Sequence, residues 1–597
     1  MKKNTIFHGK PELFDKNNCL LSNLLIAFLF LINSTCIKVE PEINQELFIN
    51  VITTHTFKLQ EAGEMMKRIA LSAVTALVFL CGYPVLEIWA QSPNLLKEMF
   101  KDTRYTEERY YKTERVLLSA TKNLMKARKA PAINTVITSE EIRNMGARNL
   151  FDVLNRIPGV STSWNQIKGL INMRGVQTDH SEKILMLIDG ISINDSYAGS
   201  SAFLFGEDMM IENIKRIEIV RGPGSALFGA NAFIGVINII TKPPDDYEKD
   251  EIYLSHGSFD TNSHTFFIAH KKNDLKISGH FNYYDTEGER PYIESDRIGN
   301  SGHALTFDEK YDYGMKLVFK DFSFNSRIID KNRGDFFGAL GALDDGSNYD
   351  FFMNISDLSF IKKITDEFDL TFNLSNSYTD YKAFNIILPQ GYTGGDDKGM
   401  IGVPIYKNNT VNAQITANYR IGDHFLTSGA VFENDRQYDV RHITNFDNTL
   451  LEPRDATDTL NYKRNITRNM GAVFLQEIWE ISAYDTLTLG IRYDHYDDFG
   501  GATNPRAGYV HEFKNEAVVK LLYGQAFRAP SYNELYTENN PGVSGNENLD
   551  PETIETFEAA VEIPFLEFFN LNISYCLQTD KRPHSNRCNV SHGPAAL

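Results

Sequence analysis

The stretch RIEIVRGPGSALFGANAFIGVINIITKPP, Arg216 to Pro244, sets a glycine-rich loop between two runs of apolar β-formers. A loop that cradles phosphate is followed by a helix, whose free N–H groups converge on the anion. Here the loop runs into GVINIIT, which is rich in Val and Ile and reads as a strand. The Walker form also needs Gly-Lys-Ser/Thr, and the first lysine after Gly229 is Lys242. A dinucleotide fingerprint fails on the same missing helix. The loop is therefore not a nucleotide site, and its flanks predict two strands of one sheet.

Upstream, the pattern is mixed α/β. INTVIT, from Ile133, reads as a strand, and Thr138 to Glu141 form a capping box that opens a short helix ended by Gly146. NLFDVLNRI places Phe151, Leu154 and Ile157 at helical spacing and is closed by Pro158-Gly159. KILMLIDGISIND is two β-rich runs about Asp189-Gly190, a strong hairpin-turn signal. Residues 130–244 thus predict a mixed α/β domain of ordinary size.

Downstream, the character changes. Tyr311, Tyr313, Met315, Leu317 and Phe319 fall on one face, and after a turn near Asp321 the set continues in Phe322, Phe324 and Ile328. Phe368, Leu370, Phe372, Leu374 and Tyr378 alternate with Asp369, Thr371, Asn373 and Ser375. Leu487, Leu489, Ile491 and Tyr493 do the same against Thr488, Gly490 and Arg492. Alternation with period two recurs to Tyr575, in about fourteen to sixteen segments of about ten residues, the pattern of a transmembrane antiparallel β-barrel. A large soluble β-sandwich or a solenoid is the alternative, but no fixed-period repeat supports the latter.

Composition agrees with this division. The formal net charge of −18 argues against a nucleic-acid surface, and 28 Tyr and 40 Phe suit a barrel. The five cysteines, Cys19, Cys36, Cys81, Cys576 and Cys588, leave the centre of the chain without thiols, as suits an oxidising compartment. Met65 to Ala90 follow the order of a secretory signal: Lys67 and Arg68, an apolar run from Ile69, then a small residue. A signal cannot work behind 64 further residues, so 65–90 is expected as the signal peptide and 1–64 as untranslated. Residues 91–129 then form a periplasmic N-terminal segment. No G-x-S-x-G nucleophile and no H-E-x-x-H pair occurs, so an enzyme is not expected.

APAINTVITSEEI, LFDVLNRIPGV, INMRGV, ILMLIDGISIND and IEIVRGPGSALFGANAFIGVINIITK stand in the order and spacing of one family's plug. The chain resembles the TonB-dependent outer-membrane receptors. A weaker match runs through YGQAFRAPSYNELY (Tyr523 to Tyr536) and GNENLDPETIETFEAAVE (Gly545 to Glu562). The resemblance implies a mixed α/β plug domain inside a transmembrane antiparallel β-barrel of about 22 strands, located in the Gram-negative outer membrane. It implies that Arg174, beside Gly175, and Arg221 pair with acids of the barrel wall. It further implies that Asp189-Gly190 forms a turn and that Gly222, Gly224, Gly229 and Gly235, with Pro223, allow close packing in a crowded lumen. The energy-coupling TonB box should precede the plug, with Val116, Leu117, Leu118, Ser119 and Ala120 as its core. Such an extended segment adds as a strand to a partner's sheet. The implied partners are TonB with ExbB/ExbD, outer-membrane lipid and a small-molecule chelate ligand, with no nucleic acid.

Relatives import ferric siderophores, cobalamin, haem, sugars or metals. SYNELYTENNPGVSG, from Ser531, lacks the histidine of haem receptors, and a ferric siderophore leads on the family's habit, with cobalamin the alternative. No cofactor is expected; Leu343 to Asp350 and Gly394 to Gly399 are acidic loop stretches that could take Ca²⁺, although such loops are usually just solvated. The chain departs from the family in offering too few strands, and after Tyr575 the pattern gives way to a polar, cysteine-bearing stretch, 576–597, ending Ala-Ala-Leu. The expectation is a partial barrel over 245–575 with an aberrant tail, and a non-transporting truncated barrel fragment or surface adhesin as the reading of another class.

Overall fold

The computed structural model describes residues 116–117, 119–120, 122 and 125–581, apart from 165–168, 179, 201–208, 335–340, 345, 392–396, 447–449, 541–543 and 567–568. The signal segment at 65–90, residues 1–64 and residues 91–115 lie outside the described residues, as does 582–597.

The N-terminal part of the described chain, to Thr241, builds a compact α/β unit. Its strands are β1 (Val116–Leu117), β2 (Met125–Lys126), β3 (Ile133–Thr138), β4 (Val160–Trp164), β5 (Gly169–Met173), β6 (Ile184–Ile188), β7 (Ile191–Ser192), β8 (Ile214–Arg221) and β9 (Gly235–Thr241). Five of them form one sheet in the order β3-β8-β9-β6-β7, in which only β6 and β9 run parallel. Helix α1 (Ser139–Asn144) carries the expected capping box: Thr138 and Glu141 each satisfy the other's free backbone N–H. Asn149 caps α2 (Leu150–Leu154) by accepting from the Asp152 N–H. One element was not foreseen. A single helical turn, α3 (Ser225–Phe228), sits inside the glycine-rich loop before β9.

Ile188 pairs with Ile191 across Asp189 and Gly190, which both have positive φ, at 51° and 86°. That is the two-residue turn whose twist matches its strands.

From Glu251–Gly257 to Phe569–Lys581, fifteen strands follow one another antiparallel in chain order, and the short strand Arg454–Asp455 adds to His424–Thr444. The first and the last are the ends of this sheet and are not paired with each other among the described residues. The connections at one end are tight, at 273–274, 320–321 and 422–423, and the longest at the other span 287–307, 445–465 and 529–551. Outer-membrane barrels have short periplasmic turns and longer extracellular loops, which orients the sheet.

The faces are inverted relative to a soluble protein. Thr488 and Arg492 are 0% and 2% exposed, whereas Leu489 and Ile491 between and beside them are 47% and 48% exposed. Polar side chains thus point into the lumen and apolar ones outward, where hydrocarbon covers them. The strand Asn348–Lys363 departs from this alternation, and Ile466–Glu480 does so too at Met470, Ala472 and Phe474. In the former, the inward Tyr349, Phe351, Met353 and Ile355 are all buried and join the plug residues Phe151, Leu154 and Ile237 in a single apolar cluster. Those inward positions face the plug rather than water, so an apolar surface there is covered.

The boundary expected at Tyr575 falls inside a strand. Phe569–Lys581 pairs with Glu552–Leu566 through Lys581, so the ladder runs six residues into the stretch read as a tail. Polar residues interrupted the apolar pattern there, but the ladder's hydrogen bonds are made by backbone and need no apolar side chains.

Candidate functional site: the plug–wall contact

Arg174 ends the β5 side of a tight turn with Gly175; both have positive φ, and its N–H donates to the Gly159 carbonyl at 2.8 Å. This turn aims the guanidinium at the wall. Nη1 forms an ion pair with the Glu558 carboxylate and lies 3.3 Å from the Cys576 Sγ, while Nη2 donates to the Arg221 carbonyl at 3.1 Å. The Glu558 side chain is 4% exposed, so the pair is almost fully withdrawn from water.

Gly222, at φ 114°, is what lets that acid approach, since a Cβ there would stand 2.8 Å from Glu558 Oε1. The next residue, Pro223, packs on the wall at Gly524, where a Cβ would come within 2.9 Å of the proline ring. Gly224 makes room for Val236 and Ala232 inside the plug. Gly229, with φ 79°, passes beside Arg492 and Asp494 of the wall, and Gly235 passes the Val220 carbonyl. The glycines are spaces for neighbours, as bottlenecks in a filled lumen require.

Arg221 corrects its expectation. Among the described residues it reaches no wall carboxylate within hydrogen-bonding distance but donates to the Pro158 carbonyl at 2.8 Å and the Thr135 hydroxyl at 2.9 Å, both in the plug. Burial, then the neighbouring Arg174 charge, depresses its pKa. The Glu558 and Glu562 charges of the wall act on it in the opposite sense but do not outweigh these two.

Two further ion pairs fasten other sides of the plug. Asp189 accepts from the Thr241 N–H and hydroxyl at 2.8 and 2.6 Å and lies 2.9 Å from Lys316 of the wall. Lys183 lies 2.9 Å from Glu552 and 5.0 Å from the centre of the Phe233 ring. Neither lysine stood out in the sequence.

The N-terminal segment is docked. β1 pairs antiparallel with β2, and Leu118 lies outside the described residues. Ser119 and Ala120 are each 2% exposed. The Ser119 N–H and hydroxyl both donate to Glu218 Oε2, at 2.8 and 2.6 Å, and the Asn238 amide donates to the hydroxyl at 3.0 Å. Arg216 holds the other carboxylate oxygen at 2.7 Å. Arg506 of the wall donates to the Ala120 carbonyl at 2.9 Å. A carboxylate in mid-strand among Ile217 and Ile219 was the signal in the sequence that could have exposed this anchor.

Lys122 follows, with its ammonium over Phe474 at 4.5 Å and bonded to Gln414 at 3.2 Å. Burial, reinforced by the Arg492 charge and opposed by Asp494, lowers its pKa from 10.5 to about 7. Its docked form therefore disfavours the proton. Between about pH 7 and pH 10.5 the released segment binds more protons than the docked one, so docking is weakest below pH 7 and strengthens as pH rises through that window. Hydrogen exchange at the Ser119 amide, followed from pH 6 to pH 9 and corrected for intrinsic rate, is expected to show rising protection; falling protection would contradict it.

At the mouth, Tyr197 of the plug stacks on Tyr406 of the wall, 4.6 Å between ring centres and 4° between planes. Lys463 lies 3.2 Å above Tyr197. The short helix Tyr532–Tyr536, capped by Ser531 and Glu534, gives its Tyr532 and Asn533 N–H groups to the Ser196 and Tyr197 carbonyls at 2.8 and 2.9 Å. In the loops read as acidic, Asp344 accepts from Gly346 and Ser347, and Asp397 from Gly391 and Gly399. These carboxylates serve their own turns. Among the described residues no three His, Cys, Asp or Glu side chains are grouped to hold a metal ion.

Comparison with known proteins places this geometry. The family profile described as TonB dependent receptor-like, beta-barrel matches residues 283–582, and that of the TonB-dependent Receptor Plug Domain matches residues 126–236. The chain is 26% identical over 438 residues to the vitamin B12 transporter BtuB of Vibrio vulnificus, covering 72% of this chain and 65% of that protein. It is 23% identical over 477 residues to the iron-regulated outer membrane virulence protein of Vibrio cholerae, covering 76% and 67%. The chain thus spans just under two thirds of the length of that B12 transporter. Among solved structures, the siderophore receptor PirA of Acinetobacter baumannii superposes with a TM-score of 0.58 at 19% identity, over 75% of this chain and 70% of that one. The copper transporter OprC does so with a TM-score of 0.58 at 17% identity, over 75% and 71%.

Proposed function

For a chain that belongs to the TonB-dependent receptors of the Gram-negative outer membrane, we propose active import of a scarce small molecule, taken up at the mouth and released past the plug. The observation that carries this reading is the way the plug is held. A few ion pairs, Arg174–Glu558, Lys183–Glu552 and Asp189–Lys316, tie it to the wall, and the segment at Ser119 and Ala120 is tied to the plug itself. With the apolar contact to the strand Asn348–Lys363, these pairs hold in place a domain whose sheet is separate from that of the wall, so it can be displaced without breaking the wall's ladder. TonB, driven through ExbB/ExbD, would grip Val116 to Ala120 as an added strand.

The cargo we favour is a ferric siderophore, in keeping with the siderophore receptors among the fold's neighbours. Cobalamin is the second reading, favoured by the relative named as a vitamin B12 transporter. The test is uptake of labelled ferric chelates and of labelled cobalamin by cells lacking their own receptors and expressing the full chain. Import of one class, lost on deleting 116–120 while surface binding persists, is the expected result. Binding without import by the intact chain would favour a surface protein that transports nothing.

A further inference from the structure

Beside the β6–β7 turn, against the wall strands Leu275–Thr286, Asp308–Phe319 and Phe322–Gly334, lies a cavity of about 490 Å³ including its mouth. It lies toward the short-turn end of the sheet, away from the mouth where Tyr197 stacks. Its lining brings together Asp189, Asn213, Lys242, His280, Lys316 and Arg327. Three of these are permanent cations and one is a carboxylate.

The cations come together through register. Lys316 is opposite Asn325, so Arg327 is its diagonal neighbour on the lumen face of the adjoining strand. Diagonal positions on one face lie about 7–8 Å apart, within joint reach of one oxyanion. Gly314 is opposite both His280 and Arg327, and the His280 ring takes the space its side chain would fill.

Arg327 is 6% exposed and gives Nε and Nη2 to Asp312 at 2.9 and 2.6 Å. Its Nη1 has no hydrogen-bond partner among the described residues. Asn213, 2% exposed, leaves Oδ1 equally without a donor. An unmet buried donor is destabilising, and more so when charged. A carboxylate or phosphate oxygen on Arg327 and Lys316 would answer the first, and the O–H of a protonated phosphate would also answer Asn213. Lys316 at present donates to Asp189 and to the Thr241 carbonyl.

We propose that this cavity is an anion-binding station on the inner part of the import route, where an oxyanion of the cargo, a carboxylate or a phosphate, takes Lys316 from Asp189 and seats on Arg327. The exchange frees the β6–β7 turn from the wall at the moment the cargo passes. The station rests on the import reading, but its chemistry can be measured without transport.

Inorganic phosphate is titrated by calorimetry into the purified full chain in detergent, for the parent, Lys316→Gln and Asp189→Asn. Saturable binding by the parent is expected, weakened about tenfold in Lys316→Gln, a loss of about 1.4 kcal/mol. Asp189→Asn removes the competing carboxylate and is expected to bind more tightly than the parent, a gain that damage to the fold does not produce. No saturable binding by the parent, or no gain in Asp189→Asn, overturns the site. Uptake then separates the sources of the oxyanion. Slowed import by Lys316→Gln with unchanged surface binding assigns the station to cargo. Normal import with phosphate binding lost would mean a free anion sits there and would overturn the route. Failure of the import reading shows separately, as no uptake by the parent at all.

Discussion

Replacing Arg174 by alanine is expected to loosen the plug by about 3–5 kcal/mol, the usual consequence of stripping one partner from a buried ion pair. The reason lies in Glu558, whose side chain is 4% exposed and would keep its charge with its principal cation gone. The Arg221 charge also acts on this acid, but its guanidinium is bonded to Pro158 and Thr135 and makes no ion pair with Glu558 among the described residues. Removing both members, as Arg174→Leu with Glu558→Leu, is expected to restore most of the loss, because no charge is then left buried. The measurement is the denaturant midpoint of plug release, read by protease cleavage within the plug, with ion conductance across planar bilayers as a second signal. A single variant within about 0.5 kcal/mol of the parent, the range of ordinary surface substitutions, would sink the docking role.

Glu218→Ala should produce the second large change, confined to the N-terminal segment. Glu218 is fully buried and accepts both donors of Ser119 while Arg216 holds its other oxygen. Each hydrogen bond to a charged group contributes about 1.5–3 kcal/mol, so losing the two to Ser119 removes most of what holds it. Protection of the Ser119 amide against exchange is expected to fall by at least about 100-fold, while amides of β6 and β9 keep theirs. On the proposed reading that TonB grips this segment, its affinity should rise in the same variant, since the docked fraction no longer competes. Unchanged protection would show that Arg506 and the Asn238 amide suffice to hold the segment.

The two predictions concern parts of the site that were unequally legible. That Arg174 meets an acid of the wall was expected from the family's motif, yet the motif did not say which acid, and it treated Arg221 as equivalent. Only the fold shows that Arg221 turns to Pro158 and Thr135. Nothing in the sequence marked Lys316 or Arg506, because a lysine or arginine on an alternating strand looks the same whether its lumen neighbour is water or a plug.

The sequence by itself determined what repeats locally. The capping box at Thr138, the Asp189-Gly190 turn, the β runs either side of the glycine-rich loop and the period-two faces of the wall follow from steric preferences and from solvent on each side. These act over a few residues, and the structure has them where the pattern put them. Tertiary structure alone decided the pairings: Arg174 with Glu558 across 384 residues, and Ser119 with Glu218 across 99. It also decided that the strand Asn348–Lys363 is apolar on its inner face, and that the ladder continues past Tyr575 to Lys581. The ladder continues because its bonds are the backbone's own; the physical reason is common to the other three. Which charge is buried, and against what, depends on how the plug sits inside the curved sheet, and that placement is set by the sum of many weak contacts rather than by any residue's own preference.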